Sequence, residues 1–174
     1  MNPNTVKKEF KGNIGLFLAC VEISKMNLIA LPTSRNTKGL DLIVLHPDTN
    51  KSVGLQVKCS DKKESPVFSS FWYNYKEVMK SKIISPFIFV DIYELEKPKY
   101  FILSQEQITT LLQKKIKNYI DGYTQRKNKT FDEICEKEKD KDNNKRKNAD
   151  NWVIKYDELT TYFNKWITIT DLIK

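Results

Sequence analysis

Apolar residues recur through residues 5–26 at Phe10, Ile14, Phe17 and Val21, the i, i+4, i+7, i+11 spacing of one helical stripe. The middle of this helix is apolar nearly all round, which predicts a buried element. Gly12, Gly15 and Ala19 form a small-residue line that lets it approach a sheet closely, offsetting the ~1 kcal/mol that a helical Gly costs relative to Ala. Short runs at 28–31, 41–45 and 53–58 then read as strands. The run PFIFVDIY from Pro86 to Tyr93 is almost continuously apolar, as expected of a strand covered on both faces. A further strand follows at 100–103. Ser104 and Gln107 have capping-box spacing, so a helix is expected from Gln105 to about Tyr119. Leu159, Tyr162, Phe163 and Trp166 follow i, i+3, i+4, i+7 and predict a C-terminal amphipathic helix at about 156–167, packed on the core or on a second copy.

Between these elements the character changes twice. Phe71, Trp72, Tyr73 and Tyr75 cluster near a basic stretch; they read first as core, with base stacking as the functional alternative. Residues 126–150 are poor in apolar side chains, mixed in charge and rich in Asn and Lys. They read as a surface insertion, or as a flap over nucleic acid, rather than as a core element.

The most informative stretch is RNTKGLDLIVLHPDTNKSVGLQVKCS, from Arg35 to Ser60. Asp41 opens one strand, a turn spans 46–51, and the second strand carries Gln56-Val57-Lys58. Strand side chains alternate, so Gln56 and Lys58 share a face while Val57 points the other way. In a hairpin, Asp41 comes beside both. Two oxygen ligands and an ammonium then share one surface, the set that metal-assisted phosphodiester cleavage uses. Asp41 is the anionic ligand, Gln56 a neutral carbonyl ligand and the Val57 carbonyl a third. Lys58 steers the water and stabilises transition-state charge. Arg35 and Lys38 in the preceding loop, with Lys62 and Lys63 after the hairpin, are the expected phosphate contacts. The plain alternative is that Asp after Gly is a turn residue and that Gln and Lys are solvent-side residues of an ordinary hairpin.

These residues resemble the PD-(D/E)xK nuclease superfamily, which includes restriction endonucleases and archaeal Holliday-junction resolvases. The likeness runs from the Gly-spaced helix KGNIGLFLACVEISKMN through the hairpin, residues 72–78 and SPFIFVDIYE, about two-thirds of the chain. It implies an αβββαβ order, an α/β (or α+β) restriction-endonuclease-like core with a central mixed sheet flanked by helices, and an Mg²⁺- or Mn²⁺-dependent deoxyribonuclease. Two departures stand out. The family's third motif residue is usually acidic, and here it is Gln56. The family often carries a Glu on the first helix, and in KGNIGLFL that place is held by Leu16. Glu22 and Glu9 are the nearest acids on the helix. A catalytically inactive nuclease-like module that binds nucleic acid or a protein partner is therefore the alternative expectation.

Composition narrows the classes. The chain has 174 residues and 20.5 kDa, the size of one domain over 1–174. Its net charge of +8 and pI of 9.2 suit an anionic partner, with nucleic acid the default candidate; a Lys-rich genome is the plain alternative. Three cysteines without CxxC spacing fit reduced cytoplasmic thiols. No signal peptide or membrane-length apolar run is visible, so no membrane partner is expected, whereas a homodimer is compatible with the C-terminal stripe. A single histidine, His46, argues against zinc sites and Ser-His-Asp triads, and there is neither a Walker loop nor a GxGxxG.

Overall fold

A computed structural model describes residues 7–34, 40–62, 68–72, 78–80, 85–127 and 151–174. Helix α1 (Lys8–Lys25) is followed by β1 (Ile29–Pro32), β2 (Leu42–Leu45), β3 (Ser52–Ser60), β4 (Phe68–Trp72), β5 (Phe87–Asp91) and β6 (Lys99–Leu103). Helix α2 (Gln105–Lys127), β7 (Asn151–Ile154), two 3₁₀ turns (Tyr156–Glu158 and Thr160–Tyr162) and a one-turn helix α3 (Ile167–Thr170) complete the order. The fold is α/β, with helices around a five-stranded mixed sheet in the order β1-β2-β3-β5-β6. Only the β3–β5 pairing is parallel; β1–β2, β2–β3 and β5–β6 are antiparallel. A separate two-stranded sheet joins β4 to β7.

The residues group into two compact units. The first contains α1, the five-stranded sheet and the C-terminal turns. Its core is Ala19 and Ile23 of α1, Leu42 and Val44 of β2, Leu55 of β3, Ile88 and Val90 of β5, Tyr100 and Ile102 of β6, and Ile169 and Ile173 near the C-terminus. The second contains the β4–β7 sheet and α2, whose Ile108, Leu112 and Ile116 are buried at i, i+4, i+8. Within it the Gln113 side-chain amide donates to the Val78 carbonyl at 3.0 Å.

Two expectations are corrected here. The stripe Phe10, Phe17, Val21 is exposed, and α1 instead buries Gly15, Ala19 and Ile23. The reason is steric. At Gly15 a Cβ would stand 2.5 Å from Cys59 Cβ, so Gly15 is where β3 packs closely on α1, whereas Gly12 is exposed. Phe68–Trp72 form β4, and residues 78–79 are helical. The expected helix at 156–167 is replaced by the two 3₁₀ turns. Phe163 takes extended backbone and bridges to Phe101 on β6, and Asn164 N–H donates to Tyr100 O at 2.8 Å with Asn164 at φ 51°. The open edge of β6 captures a segment whose Thr and Ile content weakens a helix. The expected insertion at 126–150 lies outside the described residues beyond Lys127.

Two glycines on the same helix give opposite expectations. A Cβ at Gly12 meets nothing within 4 Å, so Gly12→Ala should stabilise by up to ~1 kcal/mol through helix propensity alone. Gly15→Ala gains the same propensity but must push α1 off Cys59, an overpacking cost of about 1–3 kcal/mol. Urea denaturation should therefore move the midpoint up for the first variant and down for the second; equal shifts would contradict the close approach of α1 to β3.

Candidate functional site

Strand β3 changes partner halfway along. Residues 52–55 pair with β2, with Leu55 opposite Leu42; residues 56–60 pair with β5, with Gln56 opposite Phe87 and Lys58 opposite Phe89. In a parallel pair alternate residues bond to one neighbour, and Gln56 N–H donates to Pro86 O at 3.0 Å, so the N–H and C=O of Val57 project toward the β2 side. There β2 has already ended. Asp41 fills the gap: its N–H donates to Leu55 O at 2.9 Å, and its carboxylate Oδ2 accepts the Val57 N–H at 2.8 Å. Asp41 is itself held in place, because Thr33 N–H donates to its carbonyl at 3.0 Å and the Thr33 hydroxyl donates to Leu40 O at 2.6 Å.

Alternation settles the faces. Leu55, Val57 and Cys59 lie on the α1 side of the sheet, in or against the core. Gln56 and Lys58 lie on the opposite side. So does Asp41, which precedes the core residue Leu42 in extended chain. Lys58 is half-buried, and burial lowers its pKa below the ordinary lysine value; the negative charge of Asp41 works against that shift, so the two groups sense one another. Gln56 is half-buried beside Phe87 and makes interactions of its own.

The other sequence candidates are placed as follows. Lys62 is exposed beyond the end of β3, six residues past Gln56, with its N–H on the Ser60 hydroxyl at 3.3 Å. Along a strand that separation is roughly 20 Å, so Lys62 does not join the Asp41 cluster. Arg35, Lys38 and Lys63 lie outside the described residues, as does the side chain of Glu9. Leu16 packs against the core on the α1 side. Glu22 pairs with Lys25 at 2.7 Å and faces Tyr100, whose phenol is pushed up to about 12 by burial first and by Glu22 second. Neither position of α1 completes the Asp41 cluster. A glutamate at Leu16 would bring a carboxylate onto the apolar contact between helix and sheet.

Sequence reasoning passed over two neighbours. On the same face as Gln56 and Lys58, the next residues along β3 and β5 are Ser60 and Asp91, in register and both buried. The Asp91 carboxylate accepts the Tyr93 N–H at 2.9 Å. The only signal for it was a lone acid inside the apolar run PFIFVDIY. Burial pushes the Cys59 thiol up to about 12, and the His46 Nδ1 accepts the N–H groups of Asp48 (3.2 Å) and Thr49 (3.4 Å) in the hairpin turn, at the far end of β2 from Asp41.

Among the described residues no group of three or more His, Cys, Asp or Glu side chains could hold a metal ion. A hard cation such as Mg²⁺ does not require one, since it keeps several waters and binds through one or two carboxylates together with substrate phosphate. The donor set at this place fits that description: the second Asp41 oxygen, the Gln56 amide oxygen and the Val57 carbonyl, which projects to the Asp41 side. It does not fit zinc, which takes nitrogen and sulfur ligands at closed sites. No helix among the described residues is long and apolar enough to cross a membrane. No protein-family model, curated protein or solved structure matches this chain.

The two charged residues should respond differently to substitution. Asp41→Ala leaves the Val57 N–H without its acceptor and should cost about 1–3 kcal/mol, whereas Asp41→Asn keeps an oxygen acceptor and should stay close to wild type. Lys58→Met removes a charge that burial penalises. With the folded pKa of Lys58 below its unfolded value, the penalty is complete below the folded pKa and fades as pH rises toward 10.5. Lys58→Met should therefore melt at or above the wild-type temperature at neutral pH, with the advantage shrinking in alkaline buffer. A variant that melts well below wild type at pH 7 would make Lys58 a structural residue.

Proposed function

We propose that the face of β3 bearing Asp41, Gln56 and Lys58 is a Mg²⁺- or Mn²⁺-assisted phosphodiesterase site acting on nucleic acid, DNA first, in the cytoplasm. The observation that carries this reading is the placement of Asp41. Its carboxylate closes the point where β3 leaves β2, and this holds the one acid of the motif on the face of Gln56 and within electrostatic reach of Lys58. The similarity to the PD-(D/E)xK superfamily lends support, because it assigns metal ligation to the positions of Asp41 and Gln56 and transition-state assistance to that of Lys58. The net charge of +8 suits a phosphate backbone.

Asp41 and Gln56, with the Val57 carbonyl, would hold the cation. When bound, such an ion polarises a phosphate and lowers the pKa of a water. Asp41 Oδ2 remains on the Val57 N–H and fixes the carboxylate plane, leaving Oδ1 to bind. Lys58 places a positive charge in a partly desolvated setting, where it acts on the charge that develops on the phosphate. Gln56 orients without adding charge. One carboxylate makes a weak site in the absence of substrate, so nucleic-acid phosphate supplies the remaining negative ligands.

A second reading is favoured by the α1 side. Leu16 is committed to the core and Glu22 to Lys25, so neither of these positions adds an acid to the site. The same face would then bind nucleic acid or a protein partner without cutting.

The deciding assay is cleavage of single-stranded, double-stranded and branched DNA, and of RNA, with Mg²⁺ or Mn²⁺. Asp41→Asn, which keeps the fold, should abolish cleavage, and Lys58→Ala should lower kcat roughly 10²–10³-fold with little effect on binding. Gln56→Glu should bind Mg²⁺ more tightly and cut faster. If neither wild type nor Gln56→Glu cuts any of these substrates, the enzyme reading is lost and the binding module stands. Binding itself should weaken by roughly 10²-fold between 50 and 200 mM salt for about four phosphate contacts. A flat salt response in an anisotropy titration would remove nucleic acid as the partner.

A further inference from the structure

Glycine inside a strand weakens it, because it brings no side chain to pack and loses more freedom on ordering than any other residue. Gly54 stands inside β3, opposite Ile43 of β2 and two residues before Gln56. By alternation, a side chain at 54 would point to the face of Gln56 and Lys58. That space is taken. A Cβ at Gly54 would stand 2.7 and 3.0 Å from the two Leu40 Cδ atoms and 3.4 Å from the Leu40 Cγ, the three nearest atoms it would meet. Leu40 immediately precedes Asp41, where the chain bends, so its side chain is folded back over β3 on the candidate-site face.

We propose that Gly54 is a positioning residue: by leaving room for the Leu40 side chain on β3, it holds Asp41 on the Val57 N–H and hence beside Gln56 and Lys58. Consecutive residues then clamp consecutive parts of one strand. Leu40 sits on residue 54, the Asp41 N–H donates to Leu55 O at 2.9 Å, and the Asp41 carboxylate accepts the Val57 N–H at 2.8 Å. The Leu40 backbone has little freedom to retreat, since its carbonyl accepts the Thr33 hydroxyl at 2.6 Å. A methyl added at 54 therefore has two outlets. It drives the leucine fork out into water, or it lifts the Leu40–Asp41 bend from β3. Both remove the apolar contact that closes the bend. The Asp41 carboxylate turns about two side-chain bonds, so its bond to Val57 is the part of the clamp that a loosened bend gives up first. The consequence for catalysis rests on the phosphodiesterase reading of this face; the placement of Asp41 does not.

Amide exchange of the full chain, followed residue by residue by NMR, tests the placement without any substrate. In Gly54→Ala the Val57 N–H should exchange roughly tenfold or more faster than in wild type. The Gln56 N–H, bonded to Pro86 O on the β5 side, should keep its rate. Leu40→Ala removes the contact without adding a clash and should give the same pattern. Leu40 is only half-buried, so this variant carries the test if Gly54→Ala does not fold. In the Leu40→Ala background, Gly54→Ala should change Val57 no further, because the leucine fork is what the added methyl meets. The titration of Lys58 separates positioning from general loosening. The Asp41 charge raises the Lys58 pKa against burial, so losing Asp41 from this face should lower it, whereas a merely loosened strand would relieve burial and raise it. Unchanged Val57 exchange in both single variants, equal acceleration at Val57 and Gln56, or a Lys58 pKa that rises would overturn the proposal. If wild type cleaves nucleic acid, the Mg²⁺ concentration for half-maximal rate should rise roughly tenfold or more in both variants, and an unchanged requirement would overturn the bearing of Gly54 on the metal. A wild type that never cleaves removes the phosphodiesterase reading alone, and the exchange and titration results still decide the placement of Asp41.

Discussion

One hydrogen bond organises the candidate site: the Val57 N–H on the Asp41 carboxylate. A backbone donor at a half-buried strand cannot be left unpaired without a cost of about 1–3 kcal/mol. Strand β3 needs β2 for its first half and β5 for its second, so at the crossover one edge of β3 loses its ladder. A side-chain carboxylate supplies the missing acceptor, and it does so only if residue 41 stands where β2 begins. The requirement for backbone pairing thus fixes an acid beside Gln56 and Lys58. Thr33 and Leu40 extend the same logic outward by holding the chain on either side of Asp41.

That dependence explains what was readable from the sequence. The hairpin could be read because alternation and turn residues agree, and the Asp41, Gln56, Lys58 face follows from parity alone. The strand Phe87–Asp91 could be read because a run of five residues buried without alternation has few other readings. The partner switch of β3 could not. It depends on β5, nearly thirty residues further along, and nothing local to Val57 announces that its N–H needs a side-chain acceptor.

The failures share a cause: local periodicity competes with a tertiary contact that periodicity cannot see. On α1 the larger stripe of Phe10, Phe17 and Val21 loses the core position to Gly15, Ala19 and Ile23. Backbone proximity to Cys59 is available only where side chains are absent or small. At the C-terminus, Leu159, Tyr162, Phe163 and Trp166 carry helical spacing, yet the unpaired edge of β6 and the aromatic surface around it divide them. Phe163 bridges to Phe101, Trp166 packs on Tyr100 with centroids 5.3 Å apart, and Asn164 turns the chain between them. Ile169 and Ile173 then return to the main core, so the last residues secure the sheet rather than decorate it.

The same sheet also accounts for why so sparse a polar set can matter. Gln56 and Lys58 stand in register beside Phe87 and Phe89, which are fully buried and stack with centroids 5.7 Å apart. An apolar wall on one flank lowers the local dielectric, so a single carboxylate acts on Lys58 more strongly than it would in open water. The cost appears in Lys58 itself, whose charged form is disfavoured by that burial. A protein selected only for stability would replace such a lysine with an apolar residue of similar length, because burying a charge next to one partner rarely improves on good packing. Asp41 offsets part of that cost, so the carboxylate that completes the β3 ladder also tempers the burial of the ammonium.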